Sequence, residues 1–159
     1  MSLAVDVAFA TRQPWAPSAR LLAEWARVAA GRRGARAGLA IRVVTPAESE
    51  RLNRAYRGRQ RPTNVLSFPA GAALPAAQPH AEPAPLGDLA ICARVVAREA
   101  RAQRKSLAAH WAHMVVHGVL HLLGYDHERE ADARRMERRE RLLLAQLGFA
   151  NPYRIRRDG

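Results

Sequence analysis

The chain has 159 residues, with 26 basic side chains against 14 acidic ones and a net charge of +12. That length suits one domain with a proper core, and 48% apolar with 25% charged residues is a globular balance, not a disordered one. No apolar stretch approaches the roughly 18 residues of a membrane span, Asp6 comes too early for a signal peptide, and the lone Cys92 excludes a disulfide framework.

Leu3, Val5, Val7 and Phe9 alternate with smaller or polar residues and predict a strand. After Pro17, residues Leu21, Leu22, Trp25, Val28 and Ala29 keep helical spacing until Gly31. Leu39, Ile41 and Val43 alternate as a second strand. Thr45-Pro46-Ala47-Glu48 has the form of a capping box with proline at the first helical position, opening a helix to about Arg57. Thr63 to Phe68 predicts a third strand. Residues 70–86 hold four Pro and seven Ala in seventeen positions and predict a surface loop. A short fourth strand is expected over Asp88 to Ala93, then helices over about 94–105 and 107–123 with Ser106 as N-cap. A last helix is expected from Arg129 to Leu147, with Ala133, Met136, Leu143 and Leu147 on its apolar stripe. The order implies a single α+β domain over 1–159: a small mixed four-stranded sheet with about five helices, a loop at 70–86 and a basic tail at 152–159. Trp25, Trp111 and Cys92 are expected in its core.

The positive charge is uneven. Residues 12–61 carry twelve Arg against Glu24, Glu48 and Glu50, and 94–105 carry five basic groups against Glu99. In 128–141, six Arg face five acids and nearly cancel, as on a solvated helix with ion pairs such as Glu130–Arg134 and Glu137–Arg141. The excess elsewhere favours polyanionic partners, nucleic acid before an anionic membrane, although arginine also simply solubilises a surface.

The segment His117-Gly-Val-Leu-His121-Leu-Leu-Gly124-Tyr-Asp-His127 carries the chemistry. On a helix, His117 and His121 are one turn apart on one face, so both imidazoles can approach a zinc ion. Gly124 can end the helix in a left-handed conformation and return His127 as a third ligand. Three nitrogens leave a fourth tetrahedral position for water, a catalytic rather than structural arrangement. The same spacing marks metzincin proteases, but Gly118 stands where those carry the glutamate general base, which counts against peptide hydrolysis. Phosphodiester cleavage asks instead for the metal and a second positive group. Arg51, Arg54, Arg57, Arg59 and Arg61, crowded around Tyr56, supply candidates, most of them expected to be a solvated face.

Several motifs along the chain agree in order with one family: Leu52-Asn53 followed by Tyr56-Arg57-Gly58, then Pro62-Thr-Asn-Val-Leu-Ser-Phe-Pro69, Leu86-Gly87-Asp88, and His110-Trp-Ala-His-Met-Val-Val-His117 running into the metal motif. On these the chain resembles the YbeY family of bacterial endoribonucleases over nearly its whole length. The resemblance implies one zinc per chain held by His117, His121 and His127, with Arg57 as the functional arginine and His117 in the catalytic centre. It also implies cytoplasmic single-strand-specific RNA cleavage, maturation of the 3′ end of small-subunit rRNA and ribosome quality control. Partners would be the small ribosomal subunit and an associated GTPase, with no membrane. The departures are the Ala- and Pro-rich 70–86 loop and the Arg-rich stretch after His127. Competing readings are a zinc hydrolase acting on an ester or peptide, and a ribosome-assembly factor whose zinc is structural.

Among the remaining residues, His113 is expected to be packed or hydrogen-bonded and His110 to lie on the surface. Asp88 could hydrogen-bond a histidine ligand or shape the turn into its strand. Asp126 and Glu128 flank His127 as candidate proton acceptors. Thr63, Asn64 and Ser67 either contact RNA or organise the strand entry.

Overall fold

The computed structural model describes residues 2–70 and 84–153. Strand β1 (Ala4–Phe9) turns Val5, Val7 and Phe9 inward and leaves Ala4, Asp6 and Ala8 exposed. Helix α1 (Ala19–Ala30) starts where the Ser18 hydroxyl accepts the Leu21 N–H at 3.2 Å and ends at Gly31, whose φ of +56° suits glycine. A 3-10 turn over Gly31–Gly34, not expected from the sequence, follows. Strand β2 (Ala37–Val44) leads into α2 (Pro46–Arg57). There the Thr45 hydroxyl accepts the Glu48 N–H, while the Glu48 carboxylate lies against Arg42 at 3.6 Å, so half of the expected box forms.

Strands β3 (Val65–Pro69) and β4 (Ala84–Cys92) precede α3 (Ala93–Ala102), α4 (Leu107–Leu122, capped by the Ser106 hydroxyl) and α5 (Glu130–Gln146). Strand β4 begins at Ala84 and not at Asp88. Its early part, with Pro85 opposite Gly38, pairs with β2 beyond the stretch paired with β3, and the register shifts there between Gly38 and Leu39. The 70–86 loop and the 152–159 tail fall largely outside the described residues. Among those residues no helix is long and apolar enough to cross a membrane.

The strand order is β1-β2-β4-β3, with β1, β2 and β4 parallel and β3 antiparallel on the edge. The sheet is therefore mixed and five helices pack with it, as the sequence implied. Side-chain alternation gives its two faces different partners. Leu39, Ile41, Val43, Val65, Leu89 and Ile91 meet α1, α4 and α5 through Leu22, Trp25, Trp111, Val115, Met136 and Leu143. Leu66, Phe68, Ala90 and Cys92 meet Leu52 of α2 and Val95 of α3 on the other side. Helix α4 is buried around most of its circumference, and the truncation of Trp111, fully buried within it, would cost about 3–5 kcal/mol.

Candidate metal centre

Helix α4 lies close to the sheet at Gly118. A Cβ there would come within 2.8 Å of a Leu89 methyl and 3.2 Å of a Val65 methyl, and the Ser67 hydroxyl donates to the Gly118 carbonyl at 3.1 Å. The position where proteases place a general base is thus packed against β3 and β4, and a side chain there would have to displace the Leu89 and Val65 methyls. His117 and His121, on another face of α4, bring their Nε2 atoms to 3.1 Å from each other. Two imidazole nitrogens on one tetrahedral zinc at 2.0–2.1 Å would stand about 3.3–3.4 Å apart.

Beyond α4 the chain turns through Gly124, at φ +99°, with the Tyr125 N–H bonded to the Leu120 carbonyl. The Arg33 guanidinium donates to the Leu123 carbonyl at 2.6 Å and fixes the helix end. Asp126 then accepts the backbone N–H of His127 at 2.7 Å and of Glu128 at 3.3 Å, an Asx turn that sets the direction of His127. The imidazole of His127 stands 4.9 Å from that of His121 and 5.8 Å from that of His117, centre to centre. One ring nitrogen from each of the three lies within 4.8 Å of the others, a group that could hold a metal ion. Burial, and then the charge of His117 and His127, pushes His121 down to about 4, so it is neutral at pH 7 with a lone pair to give. Beside this turn lies an open cleft of about 250 Å³, bounded by Arg33, Asp126, Asp132 and Arg135.

A residue that the sequence reading did not single out completes the centre. Glu140 of α5 is 1% exposed and sits between two histidines of α4. Its Oε1 is 2.9 Å from His117 Nδ1, and its Oε2 is 2.6 Å from His113 Nε2 and 2.7 Å from the Tyr153 hydroxyl. Burial raises its pKa, but the hydrogen bonds from His113 and His117 outweigh that and hold it at about 2. Burial and then the Glu140 hydrogen bond push the Tyr153 phenol up, so it stays a donor. His113, as expected, is packed and hydrogen-bonded. The signal for Glu140 was present: it falls on the buried stripe with Met136, Leu143 and Leu144, where a carboxylate needs a partner.

Other expectations divide. His110 is buried, not on the surface, because α4 is covered on that side too; its Nε2 pairs with Glu99 at 2.9 Å, and Asn64 also donates to Glu99. Asp88 lies on the α2 face of the sheet by strand alternation, away from the histidines, and its carboxyl is raised by burial, less the attraction of Arg42. Thr63 and Asn64 organise the entry of β3: Thr63 exchanges two hydrogen bonds with Ser49, and the Asn64 carbonyl accepts from Cys92 N–H. Arg57 is exposed in the last turn of α2, next to Tyr56, whose ring meets Phe68 at 4.7 Å. That places it across edge strand β3 from α4, and among the described residues no hydrogen bond or ion pair joins it to the histidines. Arg51, Arg54, Arg59 and Arg61 are exposed as well, Arg54 paired with Glu50. Glu130–Arg134 forms at 2.9 Å, whereas Glu137–Arg141 is not among the ion pairs of the described residues.

Comparison with known proteins identifies the family and the fold. Residues 17–148 match the family model described as Endoribonuclease YbeY. A curated relative of that name from Alkalilimnicola ehrlichii is 59% identical over 130 residues, covering 82% of this chain and 76% of the relative. The solution structure of a Thermotoga maritima protein superposes with a TM-score of 0.59 at 22% identity, over 90% of this chain and 88% of the other, a likeness of fold.

Proposed function

This chain belongs to the YbeY endoribonuclease family, and on that premise we propose that it is a zinc-dependent endoribonuclease that cuts single-stranded RNA. Its role is 3′-end maturation of small-subunit rRNA and ribosome quality control in the cytoplasm. Partners are the small ribosomal subunit and an associated GTPase. The whole of 1–159 acts as one domain.

The observation that carries this reading is the convergence of His117, His121 and His127, within 4.8 Å, in a chain of net charge +12. These three residues fit zinc by donor type, by spacing and by the neutrality of His121. Bound there, the ion would supply a Lewis acid for a phosphoryl oxygen. Arg57 offers its guanidinium to the charge that grows on the scissile phosphate, reached by an RNA strand lying across edge strand β3. The exposed arginines of α2 and its following loop draw the RNA backbone in. Crowding at Gly118 weighs against peptide hydrolysis, and the exposure of His127 weighs against a purely structural ion.

The test is cleavage of a labelled single-stranded rRNA 3′ fragment by metal-quantified wild type beside His117→Ala. Cleavage by wild type alone is expected. Cleavage by neither, with one zinc per wild-type chain, would favour an assembly factor, and equal cleavage by both would remove the catalytic claim.

A further inference from the structure

We propose that Glu140 is the positioning residue of the metal centre, fixing His117 in the tautomer whose bare Nε2 faces His121, while His113 and Tyr153 hold Glu140 in place. The inference rests on the metal reading above and concerns side chains outside the three-histidine motif.

An ionised carboxylate only accepts hydrogen bonds, so each of its three neighbours must donate. Oε1 takes the Nδ1–H of His117 at 2.9 Å. Oε2 takes the Nε2–H of His113 at 2.6 Å and the hydroxyl of Tyr153 at 2.7 Å. The proton of neutral His117 is thereby placed on Nδ1, and Nε2 is left as a lone pair 3.1 Å from Nε2 of His121. In the other tautomer a hydrogen would occupy the direction a ligand needs. The same count explains His113. Its Nδ1 is buried with no partner among the described residues, which a lone pair tolerates better than an N–H would.

The carboxylate is itself immobilised. It comes from α5, is 1% exposed, and is gripped on both oxygens. Tyr153 reaches it from the last described residues of the chain, past the end of α5, and also touches His113 ring to ring at 5.5 Å. Ligand orientation thus depends on a helix and a C-terminal residue that the metal motif does not contain. His113, His117 and Glu140 are close enough to hold a cation themselves, but three donors on one carboxylate account for their closeness without one.

The experiment compares wild type, Glu140→Gln and Tyr153→Phe, each stripped of metal. Nitrogen-15 NMR reads the imidazole tautomers, and competition against a chromophoric chelator measures zinc and cobalt(II) affinity. A single Nδ1–H tautomer of His117 is expected in wild type and a mixture in Glu140→Gln, with metal affinity lower by about 10–100-fold. Tyr153→Phe removes one donor from a half-exposed side chain and should lower affinity by a few-fold with the fold intact. A purely structural role for Glu140 would leave the tautomer of a folded variant unchanged. Wild-type tautomer and affinity in Glu140→Gln overturn the inference; if that variant does not fold, the same result in Tyr153→Phe does so. A wild type that takes up neither metal overturns the metal reading and this inference with it, and that failure is visible in the wild type alone.

Discussion

Of the three histidine–glutamate contacts that helix α4 makes among the described residues, two, His110–Glu99 and His117–Glu140, each set a nitrogen 2.9 Å from a carboxylate oxygen and differ in what lies behind the ring. The first pair closes on itself: the other nitrogen of His110 is buried without a partner among the described residues, and Glu99 also accepts from Asn64 at the entry of β3. It ties α3, α4 and β3 together. In the second pair the other nitrogen of His117 faces His121, with His127 close by. A carboxylate-bound imidazole is therefore a brace or a ligand according to where its second nitrogen points, and the residue types alone do not distinguish the two.

The sharpest way to break this comparison is to truncate each histidine. His117→Ala should lose metal and RNA cleavage by more than the roughly 10–100-fold typical of an outer partner, with the metal-free fold retained. His110→Ala should do the reverse: one metal per chain, and stability lower by about 2–3 kcal/mol in denaturant titration. Equal metal loss in both would erase the distinction. Arg57→Ala lies outside both pairs and should lower cleavage by about 10²–10³ with metal content unchanged; unaltered cleavage would take Arg57 out of the mechanism. Gly118→Ala pushes α4 away from the sheet behind both pairs, and overpacking should cost about 1–3 kcal/mol, read from the unfolding midpoint.

The smallest effect is the share of the acid pH dependence that the brace carries beside Glu140. Burial raises the Glu99 carboxyl, but hydrogen bonds from His110 and Asn64, with the charges of His110 and Arg98, outweigh it and leave it below the usual range. A folded pKa below the unfolded one stabilises the protein above the ordinary carboxylate pKa, and that gain is lost as pH falls through the folded value. Glu99→Gln should flatten the acid limb of the stability profile. An unchanged limb would mean that Glu99 is not held by this network.

Much of the architecture was legible because it rests on local rules. The alternation of β1 and β2, the Thr45 and Ser106 caps and the stop at Gly31 each depend on neighbouring residues. So does the three-histidine group, written into one helix and its turn. What stayed hidden depends on packing between distant segments. Glu140 stands in a run of arginines that reads as solvated, and only its place among Met136, Leu143 and Leu144 marks it as buried. His110 looked like surface because nothing local says that α4 is covered on nearly every side. Asp88 sits beside a motif glycine, yet strand alternation turns it to the α2 face.

The closeness in sequence of the three histidines has a thermodynamic consequence. A site assembled from one helix and its turn needs only a short loop to close, so the unfolded chain can gather the same imidazoles at a small entropic cost. Denatured chains that retain some affinity for an ion gain from it too, and the shift in melting temperature measures only the difference in affinity between the two states. Saturating zinc should therefore raise the melting temperature less than the dissociation constant of the native protein alone would indicate. The shortfall measures how much of the site survives unfolding.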